Sequence, residues 1–591
     1  MYNADVLRTV CSSHIQATGE QRPGESTDIT FRWRTFGWAA AAATVVMAVA
    51  WSSWYPPYYL ENDDVTIRMA LEGRTVPGGI PTGFALMTNA ALGWAIVGVQ
   101  RVLPTLPGWD VALAATLLWS LGVLLALAWE ALGPGWLARA TVVGALVIAM
   151  APLVASVQFT IAATLAGGAA AFLALTELGA ARPRKSVLAM AFLLYVAGLL
   201  IRPMGGPAGA VVAIGLSLPS VLTRKQWWVH ALGILIIVSV AFLAAQYVDV
   251  GLYGRNPAWD AYFRFNWIVG PLLEWGSDVS KTHADEIRRT VGWTANDWSM
   301  LLYSWGVDPV VHGFSRVSQA YQTQTAAVDR TGIVPVMIAR AAHYPGESVR
   351  NLVTSSATVA ITAGLLVAAY ATRRTAAAVV TVLLLFWASC VSLDVVFERL
   401  PWRLLAPLEV LFVAAMLITF HSSRRVASPL LGILCLGTVL AMTAPILATQ
   451  AGEAGQRVRQ ARELDGEIAE LQRLSPSLVI FYGSRFPREY WWRPFHPGPQ
   501  GVAAIALGWN NQNPQLQQFL TVTGRQPLLR ALCTDRSMLI VSEREPLDSV
   551  TTYMQEHFST AVDWTQVHSG TFPAWRCSPI TDQPSATPSA H

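Results

Sequence analysis

Charged side chains are scarce in this sequence. Asp, Glu, Lys and Arg make up 13% of its 591 residues, whereas soluble domains carry about a quarter. Hydrophobic residues reach 53%, which excludes both an ordinary soluble enzyme and a disordered chain. The net charge of +4 is small and is spread over a mostly apolar chain, so the composition excludes nucleic acid as a partner. The sequence therefore predicts an integral protein of the lipid bilayer.

Cysteine and several catalytic motifs are also rare or absent. The chain has five cysteines and no P-loop, HExxH, CxxC or GxSxG pattern, which argues against nucleotide-dependent transport by this chain alone. Cys533 and Cys577 lie in the tail that is expected outside the membrane, where an oxidising compartment would let them pair. Two free thiols are the alternative, because spacing alone does not determine geometry.

Long apolar stretches, by contrast, are frequent. A spanning helix needs about 20 mostly apolar residues. About twelve stretches come close, at 36–54, 84–103, 110–130, 138–152, 156–178, 186–201, 205–223, 227–249, 351–372, 376–393, 404–420 and 428–449. We therefore predict a polytopic α-helical membrane protein with about 11–13 spans.

Basic loop residues predict the orientation of these spans, because Lys and Arg concentrate on the cytoplasmic side. Clusters such as Arg182 to Lys185 and Arg373–Arg374 place the loop 250–350 and the tail 450–591 outside. An inner N-terminus and an outer C-terminus require an odd number of crossings. One segment between 84 and 180 is therefore predicted to be re-entrant, merged or split.

The predicted organisation has four parts. A cytoplasmic segment covers 1–35, and a transmembrane bundle covers 36–449, including an outer loop at 55–83 and a mainly helical outer loop at 250–350. An extracytoplasmic α/β domain follows at 450–580, and 581–591 is a loose tail. The sequence of this domain predicts three helices, at Glu453–Leu474, Pro514–Thr523 and Leu547–Phe558. It also predicts three strands, at Leu478–Tyr482, Val502–Leu507 and Met538–Ser542.

The strongest chemical signal is the adjacent pair Asp63 and Asp64, just outside the first span. Such a carboxylate can accept a proton from a hydroxyl, or bind a divalent metal ion that holds a phosphate. Alternatively, Asp63 caps a short helix that stops at Gly73, and Asp64 is solvated. Arg68 lies nearby and could neutralise the pair or hold a substrate phosphate.

Three arginines form a second signal at the predicted outer membrane edge. Arg202, Arg399 and Arg403 lie there against the positive-inside trend. Guanidinium groups match phosphate geometry, so these side chains are candidates for a lipid-linked phosphate. Snorkelling to headgroups, or pairing with a neighbouring acid, is the alternative.

Aromatic density is the third signal, with 24 Trp in the chain. Trp259 and Trp293 in the large outer loop are candidate sugar-binding residues. Interfacial aromatic belts collect the same residues, and for most of the tryptophans that is the stronger interpretation.

The acidic pair resembles the signature of the GT-C superfamily, polytopic glycosyltransferases that use polyprenyl-phosphate sugars. Asp63, Asp64, Arg68 and Pro81-Thr-Gly stand in the order of that pattern, and the resemblance is closest to bacterial members that modify surface glycans. Arg202-Pro and Arg399-Leu-Pro-Trp-Arg403 look similar as well. In this sequence the second acid is Asp rather than Glu, and the Arg sits further along than in several branches.

The resemblance implies an inverting glycosyltransferase in the bacterial inner (plasma) membrane, with its active site outside. Asp63, with Asp64 beside it, would deprotonate a hydroxyl of an extracytoplasmic glycan acceptor, and Arg202, Arg399 and Arg403 would bind the phosphate of the polyprenyl-phosphate sugar donor. Metal use stays open. A carrier or flippase for lipid-linked glycans, and a membrane-anchored scaffold, are the alternative functions.

Overall fold

The structure is a computed structural model. It describes residues 32–53, 57–131, 153–218, 225–270, 272–273, 282–302, 306, 308–331, 380–382, 384–388, 390, 402–421, 452–453, 455–482, 486–499, 501, 503–508 and 510–580. The predicted spans at 138–152, 351–372 and 428–449 and the segments 1–31 and 581–591 lie outside the described residues.

Most of the described apolar stretches are helices. They are Trp33–Ser53, Ala90–Val102, Gly108–Ala131, Phe159–Leu178, Lys185–Ile201, Gly205–Leu216, Lys225–Gly254 and Trp402–His421. Each overlaps one predicted span, and most helix ends lie within a few residues of the predicted ends. Gly205–Leu216 is an exception, since it has 12 residues and ends short of the predicted boundary at 223. Three of the described helices are long and apolar enough to cross a membrane by length and composition, namely Gly108–Ala131, Phe159–Leu178 and Trp227–Gly254.

Ala90–Val102 differs from its prediction. The segment 84–103 was expected to span, but its helix has 13 residues and a length of about 20 Å at 1.5 Å per residue. The hydrocarbon core is about 30 Å thick. The preceding residues 73–89 form turns instead, because Pro81 and the glycines at 73, 78, 79 and 83 interrupt helical structure.

The helices differ sharply in how far they are enclosed by protein. The most apolar window of Phe159–Leu178 is 94% buried, against 17% for Trp227–Gly254. Phe159–Leu178 is therefore the central helix of the described bundle, and Trp227–Gly254 presents an apolar surface suited to lipid.

Small residues bring the central helix close to its neighbours. A Cβ at Gly167 would collide with the backbone carbonyl of Gly206, and one at Gly209 would collide with that of Thr164. Close helix packing of this type depends on small side chains, since dispersion contacts rather than the hydrophobic effect hold helices together in lipid.

The first outer loop contains a short strand and a helix. Strand β1 (Tyr58–Tyr59) pairs in parallel with β2 (Ser156–Val157), which directly precedes the central helix. The helix Asn62–Leu71, called here the acidic helix, begins one residue before the predicted cap. Its N-cap is Glu61, so the prediction that Asp63 caps this helix is wrong. Gly73 has φ +68°, which ends the helix as predicted.

The described residues of the loop 250–350 are mainly helical. Its helices are Pro257–Gly270, Ala284–Val291, Ala295–Leu302 and Phe314–Thr331, while Lys225–Gly254 extends several residues beyond the predicted end of its span at 249. Apolar side chains of Ala284–Val291 and Phe314–Thr331 share one core with the C-terminal residues, and Asn296 donates a hydrogen bond to the carbonyl of Ser549 (3.0 Å). This part of the loop therefore packs directly on the tail.

The tail is an α/β unit built on one five-stranded sheet. Helix 455–473 leads to the strands β3 (Leu478–Phe481), β4 (Ala504–Ala506), β5 (Met538–Val541), β6 (Val562–His568) and β7 (Ala574–Pro579). Their order is β4-β3-β5-β7-β6, with β4, β3 and β5 parallel and β7 and β6 antiparallel. Its helices are Arg488–Trp491, Pro514–Val522, Leu528–Thr534 and Arg544–Phe558.

The three parallel strands were predicted, whereas β6, β7 and Leu528–Thr534 were not. Strands β3 and β5 are continuous apolar runs that are buried throughout, the pattern of a strand covered on both faces. Strand β6 alternates weakly and β7 contains Arg and Pro, so neither has a clear apolar period. Cys577 of β7 is bonded to Cys533 at an S–S distance of 2.00 Å, which is the pairing that the sequence left open.

Candidate functional site

Side chains from four separated regions meet around the acidic helix. The helix itself supplies Asp63 and Asp64, and the N-terminus of the central helix supplies the backbone of Phe159. Arg202 follows Lys185–Ile201, and Arg403 lies in the first turn of Trp402–His421. The structure thus brings together both predicted acids and two of the three predicted arginines. Arg399 lies outside the described residues.

Asp64 is completely buried, and it binds the start of the central helix. Its Oδ1 accepts a hydrogen bond from the backbone N–H of Phe159 (3.1 Å). This N–H lies at the positive end of the helix dipole, which favours a carboxylate. Burial nevertheless raises the pKa of Asp64 well above its usual range, and the charge of Asp63 raises it further. Asp64 therefore caps a helix, although not the one that the sequence indicated.

Asp63 is the accessible member of the pair. Its side chain is 20% exposed, and its Oδ2 lies 3.8 Å from Nη1 of Arg403. Arg403 also forms an ion pair with Glu61, the residue that precedes the acidic helix. A carboxylate that is partly exposed and flanked by a guanidinium can meet a substrate hydroxyl, whereas Asp64 cannot without movement of its neighbours.

Arg202 is held against an aromatic ring beside the buried acid. Its guanidinium carbon lies 4.6 Å from the centre of the Phe159 ring, and its charge opposes the rise in the pKa of Asp64. Contact of this kind between Arg and an aromatic ring is favourable and orients the planar guanidinium group. Arg403 therefore supplies positive charge near Asp63, and Arg202 supplies it near Asp64.

Arg68 has a different environment from the one that a phosphate ligand would need. It is buried, and it pairs with Asp110 (3.1 Å) and Glu72 (2.7 Å). It also donates to the carbonyls of Arg493 (2.9 Å) and His496 (2.5 Å) in the tail. Since these groups occupy the N–H donors of its guanidinium, we interpret Arg68 as a residue that connects the outer loop to the tail rather than as a substrate ligand.

The tail contributes a residue that sequence reasoning missed. Arg488 is buried, and its Nη1 donates to Oγ1 of Thr66 on the acidic helix (3.3 Å). It also interacts electrostatically with Asp63. No local motif marks Arg488, and it is 425 positions from Asp63 in the chain, so only the docking of the tail reveals it. The sole sequence signal is the aromatic run Tyr490-Trp491-Trp492 that follows it.

The two predicted sugar-binding tryptophans lie in apolar cores instead. Trp259 stacks on Phe84 (5.2 Å between ring centres) and is 7% exposed. Trp293 is 5% exposed, and its indole N–H donates to the carbonyl of Val311 (2.9 Å). Neither ring offers an open face to a sugar, so the packing supports structural roles for both.

Potential metal ligands converge away from the acidic pair. Within the described residues, Asp297, Glu556 and His557 form a group of three whose ligand atoms lie within 4.8 Å of one another. Nε2 of His557 lies 2.7 Å from Oδ1 of Asp297, and this contact joins the helical loop to the tail.

An open cavity of about 380 Å³ lies between helix 455–473 and the loop after Arg488. Its lining is mixed, with polar, charged, aromatic and proline side chains: Asp465, Ile468, Ala469, Gln472, Trp491, Arg493, His496, Pro497 and Pro499. Two of these residues also supply the carbonyls that bind Arg68, so the cavity borders the contact between tail and outer loop.

Comparison with known proteins yields two structural neighbours. No protein-family model and no curated protein matches this chain. The chain is similar to ArnT from Cupriavidus metallidurans in the apo state, with a TM-score of 0.38 and 13% identity. It is also similar to the same protein bound to undecaprenyl phosphate, with a TM-score of 0.36 and 12% identity. Both alignments cover 92% of this chain and 98% of that chain. At these values neither likeness bears on the function of this chain.

Proposed function

We propose that this chain is a membrane-embedded glycosyltransferase of the GT-C type. It moves a sugar from a polyprenyl-phosphate donor to a hydroxyl of an extracytoplasmic acceptor. The observation that carries this proposal is the meeting of the partly exposed Asp63 with Arg403, beside Arg202 and the buried Asp64. These residues come from the segments that carry the sequence resemblance, although long stretches of chain separate them.

The proposed reaction is a direct displacement. The acceptor oxygen forms a bond to the anomeric carbon while the bond from that carbon to the phosphate oxygen breaks. The acceptor proton goes to Asp63, and the electron pair leaves with the polyprenyl phosphate. One base and one displacement invert the anomeric configuration. Asp63 is assigned the base, because its carboxylate is accessible while that of Asp64 is enclosed and bonded to the backbone of Phe159.

Arg202 and Arg403 supply the electrostatic part of this proposal. Negative charge grows on the leaving phosphate, and preorganised cations near that charge stabilise the transition state more than the ground state. Both guanidiniums already have fixed partners, Phe159 for one and Glu61 for the other. They therefore need little reorganisation when the donor binds. Arg399 keeps its proposed role as a further phosphate ligand on the sequence resemblance alone.

The acidic helix is proposed to lie at the outer face of a bacterial inner membrane. The distribution of basic loop residues supports this side, and the tail would then be extracytoplasmic. The apolar surface of Trp227–Gly254 supports a lipid environment for the bundle. An undecaprenyl-type donor would reach the site from that environment.

The test is sugar transfer by purified protein supplied with a polyprenyl-phosphate sugar and a glycan acceptor. Asp63→Asn should keep the fold and lower the turnover by about two to four orders of magnitude, the range of a lost general base. Asp260→Asn is the matched control, since its side chain is 23% exposed and pairs with Arg264 (2.9 Å). Turnover by Asp63→Asn equal to that of Asp260→Asn would falsify the assignment.

A further inference from the structure

One buried cation of the C-terminal domain contacts the acidic helix directly. Arg488 begins the helix Arg488–Trp491, which packs against both the acidic helix and β1. Arg488 is 9% exposed, and its Nη1 donates to Oγ1 of Thr66 at 3.3 Å. A guanidinium at this position is costly to bury unless charged or polar groups compensate it.

The compensation comes from the side of the helix that carries the proposed base. Asp63 and Thr66 are three residues apart, so their side chains lie on neighbouring positions of one helix face. Burial lowers the pKa of Arg488, and the negative charges of Asp63 and Glu489 oppose that change. The guanidinium bonded to Thr66 is therefore close enough to Asp63 for their charges to interact.

The backbone that follows Arg488 is anchored independently of this contact. The N–H of Phe495 donates to Oδ2 of Asp110 (2.7 Å), and the carbonyls of Arg493 and His496 accept from Arg68. These bonds hold the segment against the acidic helix and the first turn of Gly108–Ala131, so they fix the position of Arg488 as well. The cation is thus presented to the acidic helix by a preformed contact between domains.

We propose that Arg488 is a positioning residue of the active site, supplied by the C-terminal domain to orient the carboxylate of Asp63 and keep it ionised. This inference rests on the proposed function and adds to it a role for the tail. Asp63 then interacts with two cations from different parts of the chain, Arg403 and Arg488. The tail completes the catalytic site in addition to covering it.

Kinetics of three variants test this role. Arg488→Gln removes the charge, Arg488→Lys keeps it, and Arg525→Gln is the control, because Arg525 lies in the same domain, is 18% exposed and pairs with Asp535 (3.2 Å). We expect Arg488→Gln to lower kcat at least about tenfold with a smaller change in KM, as a loss of transition-state interaction does. Arg488→Lys should recover part of the loss, and Arg525→Gln should match the wild type.

The pH dependence separates a positioning role from a merely structural one. The titratable and charged groups described around Asp63 include Glu61 and Asp64 from its own segment and Arg403 from the helix Trp402–His421. From the tail, Arg488 interacts with Asp63 and also with its own neighbour Glu489. A neighbouring guanidinium lowers a carboxyl pKa by about 1–3. Without Arg488, the acidic limb of the kcat profile should therefore move to higher pH by about one pH unit. An unchanged profile, or Arg488→Lys no more active than Arg488→Gln, overturns the proposal.

A stability measurement decides the pairing without any sugar transfer. The thermal midpoints of Asp63→Asn, Arg488→Gln and the double variant form a double-mutant cycle. Coupled charges predict that Arg488→Gln costs less in the Asp63→Asn background than in the wild type. Strictly additive shifts overturn the proposal. An inactive wild type would instead count against the proposed function, while this cycle still reports on Arg488.

Discussion

Arg68 offers the sharpest test of how the tail is attached to the outer loop. Its side chain is 3% exposed and forms an ion pair at 3.1 Å with Asp110, whose side chain is 0% exposed. Its second partner, Glu72, is 15% exposed and can be hydrated. Removal of the cation therefore leaves the charge of Asp110 without compensation, because no water reaches this side chain.

Replacement of Arg68 by Met preserves most of the apolar stem and removes the charge. A buried pair that loses one partner typically costs about 3–5 kcal/mol, mostly because the other charge stays buried and uncompensated. The carbonyls of Arg493 and His496 lose their donor in the same variant. We expect a clear fall in the thermal midpoint of the detergent-solubilised protein and faster proteolytic release of the tail.

The double variant Arg68→Met/Asp110→Asn separates charge from contact. Asn keeps one acceptor oxygen for the hydroxyl of Tyr59, which donates to Oδ1 of Asp110. It carries no charge and loses the oxygen that accepts from the N–H of Phe495. If the uncompensated carboxylate dominates the cost, the double variant should be more stable than Arg68→Met alone. A double variant that loses at least as much stability as the sum of both single variants would refute this reasoning.

Two further predictions concern the buried acid and the cysteines. Burial favours the protonated form of Asp64 in the folded state. The folded protein therefore loses stability as the pH rises from the pKa of the unfolded chain, about 3.9, to the raised pKa of the folded state. Asp64→Asn should therefore have a midpoint at or above that of the wild type at pH 7 and lose this advantage near pH 4; a lower midpoint at pH 7 would contradict the assignment. Cys533 and Cys577 should resist alkylation until the unfolded protein is reduced, whereas adducts located on both of these residues in unreduced protein would exclude the disulfide.

Prediction from sequence worked best where the pattern was local. The helices of the bundle follow from apolar runs of about the length of a membrane crossing, as in Phe159–Leu178. Strands β3 and β5 follow from continuous apolar segments between turn residues. The failures have two causes. The segment 84–103 is apolar enough to span but is shortened by the turns before it, whereas β6 and β7 lack a clear apolar period. For Trp259 and Trp293 the limit is different, because composition does not reveal whether a ring is packed or open.

The sequence by itself determined the membrane class, the acidic pair and the arginines that could serve it, because these depend on composition and on short motifs. The tertiary structure decided how the parts are used. It enclosed Asp64 at the end of the central helix, left Asp63 accessible beside Arg403, engaged Arg68 between domains and brought Arg488 to the acidic helix. The physical reason is that exposure and charge pairing depend on contacts between residues hundreds of positions apart, and no local pattern encodes them.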